Sequence, residues 1–253
     1  MYRKSLMTFA VAAVFAVSAS AQTVDELIEK NIEARGGREK IKAVSSIRFT
    51  GKMMVGPGME APFVREAARP NKMRMEFTIQ GMTAVQTFDG KDAWALMPFL
   101  GKKEAEAMSA DELKDIEDQA DLDGPLVDYK EKGHTVELIG KEDIEGTPAY
   151  KLKVTKKNGG VDFTYLDAEN YLEIKGTSKR TVRGQDLEFE TALGDYKEVD
   201  GVLYPFSIEQ KAKGGPGGGF AVTIDKIETN PTLSADRFGK PAGAAAPAAP
   251  EPK

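Results

Sequence analysis

From Ser45 onward the apolar residues of this chain recur at every second position. Ile47, Phe49 and Met53 alternate with Arg48, Thr50 and Lys52, and Met73, Met75, Phe77 and Ile79 alternate with Lys72, Arg74, Glu76 and Thr78. A period of two belongs to a strand with one face buried and the other wet. Further runs lie around Val64, Val85 and Trp94. After a helical interlude come Val136-Leu138, Tyr150-Val154, Phe163-Tyr165, Leu172-Ile174, Leu187-Phe189, Leu203-Ile208 and Phe220-Ile224. Asp89-Gly90, Gly159-Gly160, Gly184 and Asp200-Gly201 supply turns between many of them, as antiparallel hairpins require. About a dozen short amphipathic strands predict a large antiparallel sheet with one oily face, and a sheet that wide curls on itself. Lys213 to Gly219, with five glycines and a proline, reads as a flexible hairpin connection.

Two stretches depart from the strand rhythm. Thr23-Val24-Asp25-Glu26 has the form of a capping box, and Val24, Leu27, Ile28 and Ile32 follow at helical spacing until Gly36-Gly37. This predicts one amphipathic helix with an acidic first turn that suits its dipole. The second stretch runs from Lys102 to Gly133. Ser109-Ala110-Asp111-Glu112 is another capping box, with Leu113, Ile116 and Ala120 on one face. Gly124-Pro125 separates it from an expected second short helix bearing Leu126, Val127 and Tyr129. A helical pair with so few apolar anchors is expected to cover the sheet rather than to found it.

At the start, Arg3 and Lys4 precede an apolar run from Leu6 to Val17 and then the small residues Ala19-Ser20-Ala21. That order is a secretory signal, with the mature chain expected to begin near Gln22 and to work in the periplasm. The apolar run is too short for a stable membrane span. With Arg3 and Lys4 removed from the 35 basic residues, 33 remain against 40 acidic ones, a net charge of −7 in place of −5. Such a surface argues against nucleic acid as a partner and against a polybasic grip on anionic lipid headgroups. There is no cysteine, so the fold must rest on an ordinary core rather than on disulfides. The Ala-, Gly- and Pro-rich tract from Gly239 to Lys253 has nothing to bury and is expected to be a disordered tail.

The chemistry available is narrow. His134 is the single histidine, so a zinc site would lean almost wholly on carboxylates, which zinc rarely does. His134 follows Gly133 at a strand start with no nucleophile motif nearby, and is expected to be a turn residue. Asp121-Leu122-Asp123-Gly124 resembles part of a calcium loop, but Gln119 and Lys130 occupy its first and last ligand positions. The glycine runs lack the lysine of a phosphate loop, and carboxylate pairs are too common here to indicate glycosidase chemistry. No catalytic residue, metal or cofactor is expected. Methionine is the positive signal. Every methionine after the leader lies between Met53 and Met108. A residue this flexible can form an adaptable lining for acyl chains, but composition alone favours the reading as filler in an ordinary core.

The stretch Arg69-Pro70-Asn71-Lys72-Met73-Arg74-Met75-Glu76-Phe77, with Phe88-Asp89-Gly90-Lys91-Asp92-Ala93-Trp94 after it, resembles the LolA family, the periplasmic carriers of outer-membrane lipoproteins. Val199-Asp200-Gly201-Val202-Leu203-Tyr204-Pro205 is similar to a turn of the broader LolA-like superfamily. The resemblance implies a mainly β (α+β) domain, an unclosed antiparallel half-barrel of about 11–12 strands with an N-terminal helix and a helical lid. With the signal at 1–21 and the tail at 239–253 read from their own patterns, the half-barrel is expected over 22–238 with its lid at 102–133. In the family the arginine of the arginine-proline step reaches into the cavity and bonds lid backbone, and Arg69 matches that position. The alternative for Arg69 is a surface arginine flanking a strand. The lipid-binding and lid set so implied is Arg69, Met73, Met75, Phe77, Trp94, Met108, Leu113 and Ile116. Met73 and Met75 depart from the family, which commonly has aromatic residues there. The expected activity is that of a carrier without catalysis. It would take acylated lipoproteins or lipids from an inner-membrane donor complex to an outer-membrane acceptor. A LolA-like sensor or docking module, and a closed structural domain with no ligand, are the other readings.

Overall fold

The computed structural model describes residues 22–56, 58–182, 185–213 and 219–243. The first 21 residues, Gly184, most of the glycine-rich connection and the last ten residues lie outside them.

The expected first helix forms as α1 (Val24–Ala34). Its capping box is closed at both bonds: Thr23 N–H donates to Glu26 Oε2 at 2.8 Å, and Glu26 N–H to Thr23 Oγ1 at 3.2 Å. Leu27, Ile28 and Ile32 bury the inner stripe. Gly36 ends the helix at φ 118°, and a Cβ there would meet the Gly201 carbonyl oxygen at 2.0 Å, so only glycine allows this approach. A short second helix, α2 (Arg38–Ala43), follows and buries Ile41.

The rest is one sheet of thirteen antiparallel strands in two meanders. The first runs outward from the centre: β1 (Ser46–Gly56), β2 (Met59–Ala68), β3 (Lys72–Ile79), β4 (Met82–Phe88), β5 (Ala93–Leu96) and the two-residue β6 (Glu106–Ala107). The second starts at the opposite edge and returns: β7 (Thr135–Ile144), β8 (Thr147–Thr155), β9 (Val161–Asp167), β10 (Glu173–Val182), β11 (Gln185–Val199), β12 (Val202–Lys213) and β13 (Phe220–Thr229). Their seam is the β1–β13 pair, from Ile47↔Thr229 to Met54↔Ala221. The register shifts there at Thr50/Gly51, where a Cβ on Gly51 would strike the Thr223 carbonyl oxygen at 2.1 Å. Three tight hairpins carry two successive residues with positive φ: Gln80-Gly81, Glu145-Gly146 and Asp200-Gly201. That is the turn whose twist suits antiparallel strands.

Because β6 and β7 are the free edges, the sheet is not closed. The chain between them must then travel from one edge to the other, which carries it across the concave side. The packing of Ile116 and Ala120 on Met73, and of Leu126 and Val127 in the main core, places the 108–134 segment on that side.

That segment holds one helix, α3 (Ala110–Ala120), with the Ser109–Glu112 capping box formed as expected. The second short helix after Gly124-Pro125 is absent. Gly124 (φ 80°), Asp128 (φ 52°) and Gly133 (φ 77°) put three left-handed residues into ten, and the backbone runs as turns.

The two faces are covered differently. Leu27, Ile32, Ile47, Phe63, Ala67, Leu152, Leu166 and Val222 join the main core between the sheet's concave face and the helices. On the convex face Glu66, 1% exposed, receives bonds from Arg48 Nε and Arg237 Nε, both at 2.7 Å. Arg74 donates to the Arg237 carbonyl at 2.9 Å, and Thr87 Oγ1 to the Gly239 carbonyl at 3.0 Å. The segment ending in the 3₁₀ turn Ala235–Phe238 thus straps the back of β2–β4, with Phe238 buried beneath it. Residues 239–243, which composition assigns to the tail, are part of this described strap.

Candidate functional site

The lid segment meets the sheet in two places. The first is a dry seat. Met73, fully buried, packs with Phe88, Ala93, Ile116 and Ala120, while Met75, Met108 and Leu113 close the margin. Six of the residues expected to face lipid or form the lid are accounted for on this side: Met73, Met75, Met108, Leu113 and Ile116 here, and Phe77 in the neighbouring main core, 5.8 Å from the Phe99 ring. The alternation of β3 delivers them, since Met73, Met75 and Phe77 share the concave face while Arg74 and Glu76 turn to the convex one. The methionines here fill a closed seat beneath α3.

Trp94 is on the other side of the sheet. It pairs with Thr87, which faces the C-terminal strap, and it packs with Val85, Leu96 and Ala105 in a separate cluster. Adjacent residues on a strand point to opposite faces, so when Ala93 enters the α3 seat Trp94 cannot. Its expected place among the lipid-facing residues is therefore corrected.

The second meeting place is a cavity of about 210 Å³ beneath residues 121–126. Arg35 from the end of α1, Ile41 and Val44 around α2, Ile47 and Phe49 of β1, Arg65 of β2, Glu173 of β10, Leu193 and Tyr196 of β11 and Leu203 to Pro205 of β12 line its other walls. Three arginines tie the lid segment down across this region. Arg69 grips the Asp123 carboxylate with two donors (2.9 and 2.5 Å), and the same guanidinium donates to the carbonyls of Val44 (2.8 Å) and Ile41 (3.3 Å) at the C-terminus of α2. Those are among the carbonyls a helix end leaves unpaired. Arg35 donates to the Asp123 carbonyl at 3.0 Å, and Arg65 donates to the Gln119 carbonyl in the last turn of α3.

Arg69 is thus a lid residue, but by a different bond than the resemblance implies. It holds a lid carboxylate, and the lid-backbone bonds belong to Arg35 and Arg65. Arg65 lies four residues before Arg69, on the same face of the chain. Sequence reasoning missed it. Its signal was available: a charged residue at a concave-face position between Phe63 and Ala67, both buried.

The electrostatics separate these groups. The carboxylate of Asp123 holds the Arg69 guanidinium above its ordinary value. Arg65 keeps some accessible surface onto the cavity, yet burial pulls its guanidinium down to about 10. Burial also pushes the Glu173 carboxyl up to about 7, against the opposing charge of Arg35, and Tyr204 up to about 12.

A larger groove of about 720 Å³ runs outside α3, past Asp115, Asp118, Lys132, His134, Lys156 and Arg180. Many of its charges are paired: Lys156 meets Asp118 at 2.5 Å and Asp162 at 2.6 Å, Lys132 meets Asp121 at 2.5 Å, and Arg180 meets Asp115 at 3.9 Å. His134 Nδ1 accepts from Lys157 N–H at 3.1 Å, at the turn position expected of it, and burial lowers its pKa. Among the described residues no group of three or more histidines and carboxylates is placed to hold a metal ion.

The open antiparallel half-barrel crossed by a lid segment is a LolA-like fold, shared by solved structures that include the following three. A LolA superfamily protein from Nitrosomonas europaea has a TM-score of 0.55 at 15% identity, over 87% of this chain and 99% of that one. A domain assigned as an outer membrane lipoprotein-sorting protein from Vibrio parahaemolyticus has a TM-score of 0.54 at 14% identity, over 83% and 97%. A DUF1329 family protein from Desulfovibrio piger has a TM-score of 0.59 at 11% identity, over 85% and 97%. No protein-family model and no curated protein matches the sequence. The fold expected from the sequence is the fold found, with thirteen strands in place of about 11–12. The added one is the two-residue edge strand β6, too short to leave an alternating pattern.

Proposed function

We propose that this protein is a periplasmic carrier that shelters acyl chains of lipoproteins or lipids beneath its lid and moves them toward the outer membrane. The observation that carries the reading is the cavity under residues 121–126, closed by three arginine contacts rather than by a continuous apolar seal. At about 210 Å³ the cavity has the liquid volume of about seven waters, and it is smaller than the roughly 300–1,000 Å³ of ordinary ligand pockets. In this reading it is the unloaded state, and loading requires the lid segment to lift. Each buried methylene then contributes about 0.8 kcal/mol, so one long chain offsets the loss of several polar contacts. Binding of this kind needs no catalytic group.

The reading includes export. The mature chain would start at or near Gln22, whose Oε1 accepts from the Tyr150 hydroxyl, and would pass its cargo from an inner-membrane donor complex to an outer-membrane acceptor. Organic extraction and mass spectrometry of protein purified from its native envelope should recover an acyl species in stoichiometric amount. Material that carries no acyl species, binds no acyl probe and retains Met1 would end both the carrier and the export readings.

A further inference from the structure

Among the described residues, Arg38, Arg48, Arg69, Arg74, Arg180 and Arg237 each have a carboxylate oxygen within 4.0 Å. Arg35 and Arg65 do not, and both line the same cavity. A charge taken out of water ordinarily finds a counter-charge, because its desolvation is otherwise uncompensated. Arg65 has only the Gln119 carbonyl and the Phe49 ring, 5.2 Å from the guanidinium carbon. A carbonyl and a ring face solvate a cation without neutralising it, and most of its five donors remain free for another acceptor.

The other cavity walls do not supply the missing charge. Asp121 is engaged by Lys132 at 2.5 Å. Glu173, whose carboxyl burial pushes up to about 7, lies within the electrostatic reach of Arg35 and is not among the charges that act on Arg65. The remaining lining around the two guanidiniums is largely apolar and includes Ile47, Phe49, Leu122, Leu126, Leu193 and Leu203. A cationic end and an oily wall in one chamber match one class of ligand.

We infer that the cavity is built for a single-chain anionic amphiphile, with its oxyanion head on the Arg65 guanidinium in the field of Arg35 and its acyl chain along the apolar wall. The inference rests on the acyl-carrier reading and narrows it. The acyl groups of a lipoprotein are uncharged esters and amides and would leave Arg65 without a counter-charge. A free fatty acid or a single-chain phosphate lipid supplies one. A charge-assisted bond to a planar guanidinium is short and strong, so the head should govern selection as much as the chain.

Three ligands of equal chain length test this on the delipidated mature protein: palmitate, hexadecyl phosphate and hexadecanol, each titrated below its aggregation threshold. The wild type should bind at least one of the anions roughly 10- to 100-fold tighter than the alcohol, and whichever anion is preferred identifies the carboxylate or the phosphate source. Arg65→Gln should bring the anion and the alcohol to near parity, while Arg65→Lys, which keeps the charge, should retain a preference. Should Arg65→Gln fail to fold, the wild type still decides, since added salt should weaken the anions and spare the alcohol. Equal affinity for all three ligands in the wild type overturns the inference and leaves the carrier reading standing, as does an anion preference that survives Arg65→Gln. Binding of none of the three removes the carrier reading and this inference together.

Discussion

The two attachments of the lid are built from different physics. Under α3 the contact is mainly apolar: Ile116 and Ala120 sit on Met73, Phe88 and Ala93, with the Arg65–Gln119 bond at its end. Under residues 121–126 Arg69 and Arg35 hold the carboxylate and the carbonyl of Asp123, beside a cavity that Arg35 and Arg65 line. A packed apolar seat loses free energy steeply when separated and gains nothing specific from a ligand. Hydrogen bonds to arginine can instead be exchanged one for one with a ligand's acceptors. The difference assigns anchoring to the helix and opening to the segment after it.

The sharpest way to break that division is to attack the anchor. Met73→Asp places a carboxylate in a site with no accessible surface, among Phe88, Ala93, Ile116 and Ala120. The expected cost is about 3–5 kcal/mol, read as a lower melting temperature and loss of acyl-probe binding. Arg74→Asp, one residue on, sits on the convex face against Glu76 and the Arg237 carbonyl. It should leave probe binding intact. Equal loss of binding from both substitutions would contradict the assignment of faces.

Next in size is the polar attachment. Arg69→Leu keeps apolar bulk but leaves Asp123, 5% exposed, without its cation. Because Arg69 is itself partly exposed, the expected cost is about 2–3 kcal/mol rather than the full value for a deeply buried pair. The loss should be local. Amide exchange should rise across residues 121–133 while β8 and β9 stay protected. Arg69→Leu combined with Asp123→Leu should recover part of the loss. Exchange that rises equally through the strands would mean that Arg69 supports the whole domain rather than its lid.

The sheet was legible because its strands obey a strict alternation. β3 declares its buried face in eight residues, and Gly36-Gly37 and Asp200-Gly201 stop their elements where a positive φ is required. The capping boxes at Thr23 and Ser109 were equally local signals, and both formed. What failed depends on contacts distant in sequence. Leu126, Val127 and Tyr129 suggested a helix, but Leu126 and Val127 are buried from a turn, held by tertiary packing that periodicity does not register. Trp94 joins the lipid-facing set only through the resemblance of its hairpin, whereas the parity of Ala93 decides its face. The role of Arg65 rests on Gln119, 54 residues away, and no spacing rule reaches that far. The strap over Glu66 was hidden likewise, since its partner Arg237 is 171 residues distant.

A smaller effect probes the chamber through Glu173. Burial raises its carboxyl to about 7 from an unfolded value of 4.5. The charged Arg35 and the Thr164 hydroxyl pull the other way, Asp162 adds to the rise, and the Tyr196 hydroxyl bonds the Glu173 backbone carbonyl. A carboxyl whose folded pKa is raised holds its proton in the native state after the unfolded chain has lost it. Its contribution is therefore fully present below about 4.5 and is lost as pH rises toward 7. Wild-type stability should fall by an amount on the order of 1–3 kcal/mol across that window, and Glu173→Gln should flatten the fall. An unchanged slope in Glu173→Gln would place the carboxyl in water, outside the chamber.

The smallest expected effect concerns Trp94, and its value lies in being near zero. Trp94 is the one tryptophan in the chain, so intrinsic fluorescence reports a single site. It packs with Val85, Leu96 and Ala105 on the convex face, behind a layer of sheet whose opposite side carries Met73 and Phe88. An acyl chain entering the concave chamber does not touch the indole or dry its surroundings. Loading with palmitate should therefore leave the emission maximum in place, while a dansyl-type acyl probe reports binding directly. Trp94→Phe should bind the same probe with affinity within about twofold, since a surface-side aromatic exchange changes little at a distance. A clear blue shift on loading would mean that ligand reaches the convex face, or that opening the lid disturbs β5 through Ala93 and Met108, whose N–H donates to the Ala93 carbonyl at 3.0 Å. The two are separable, because Met108→Pro removes that bond: a shift transmitted by β5 would vanish with it, and a shift from direct contact would persist. Either outcome would erase the separation between a rigid anchor and a moving segment.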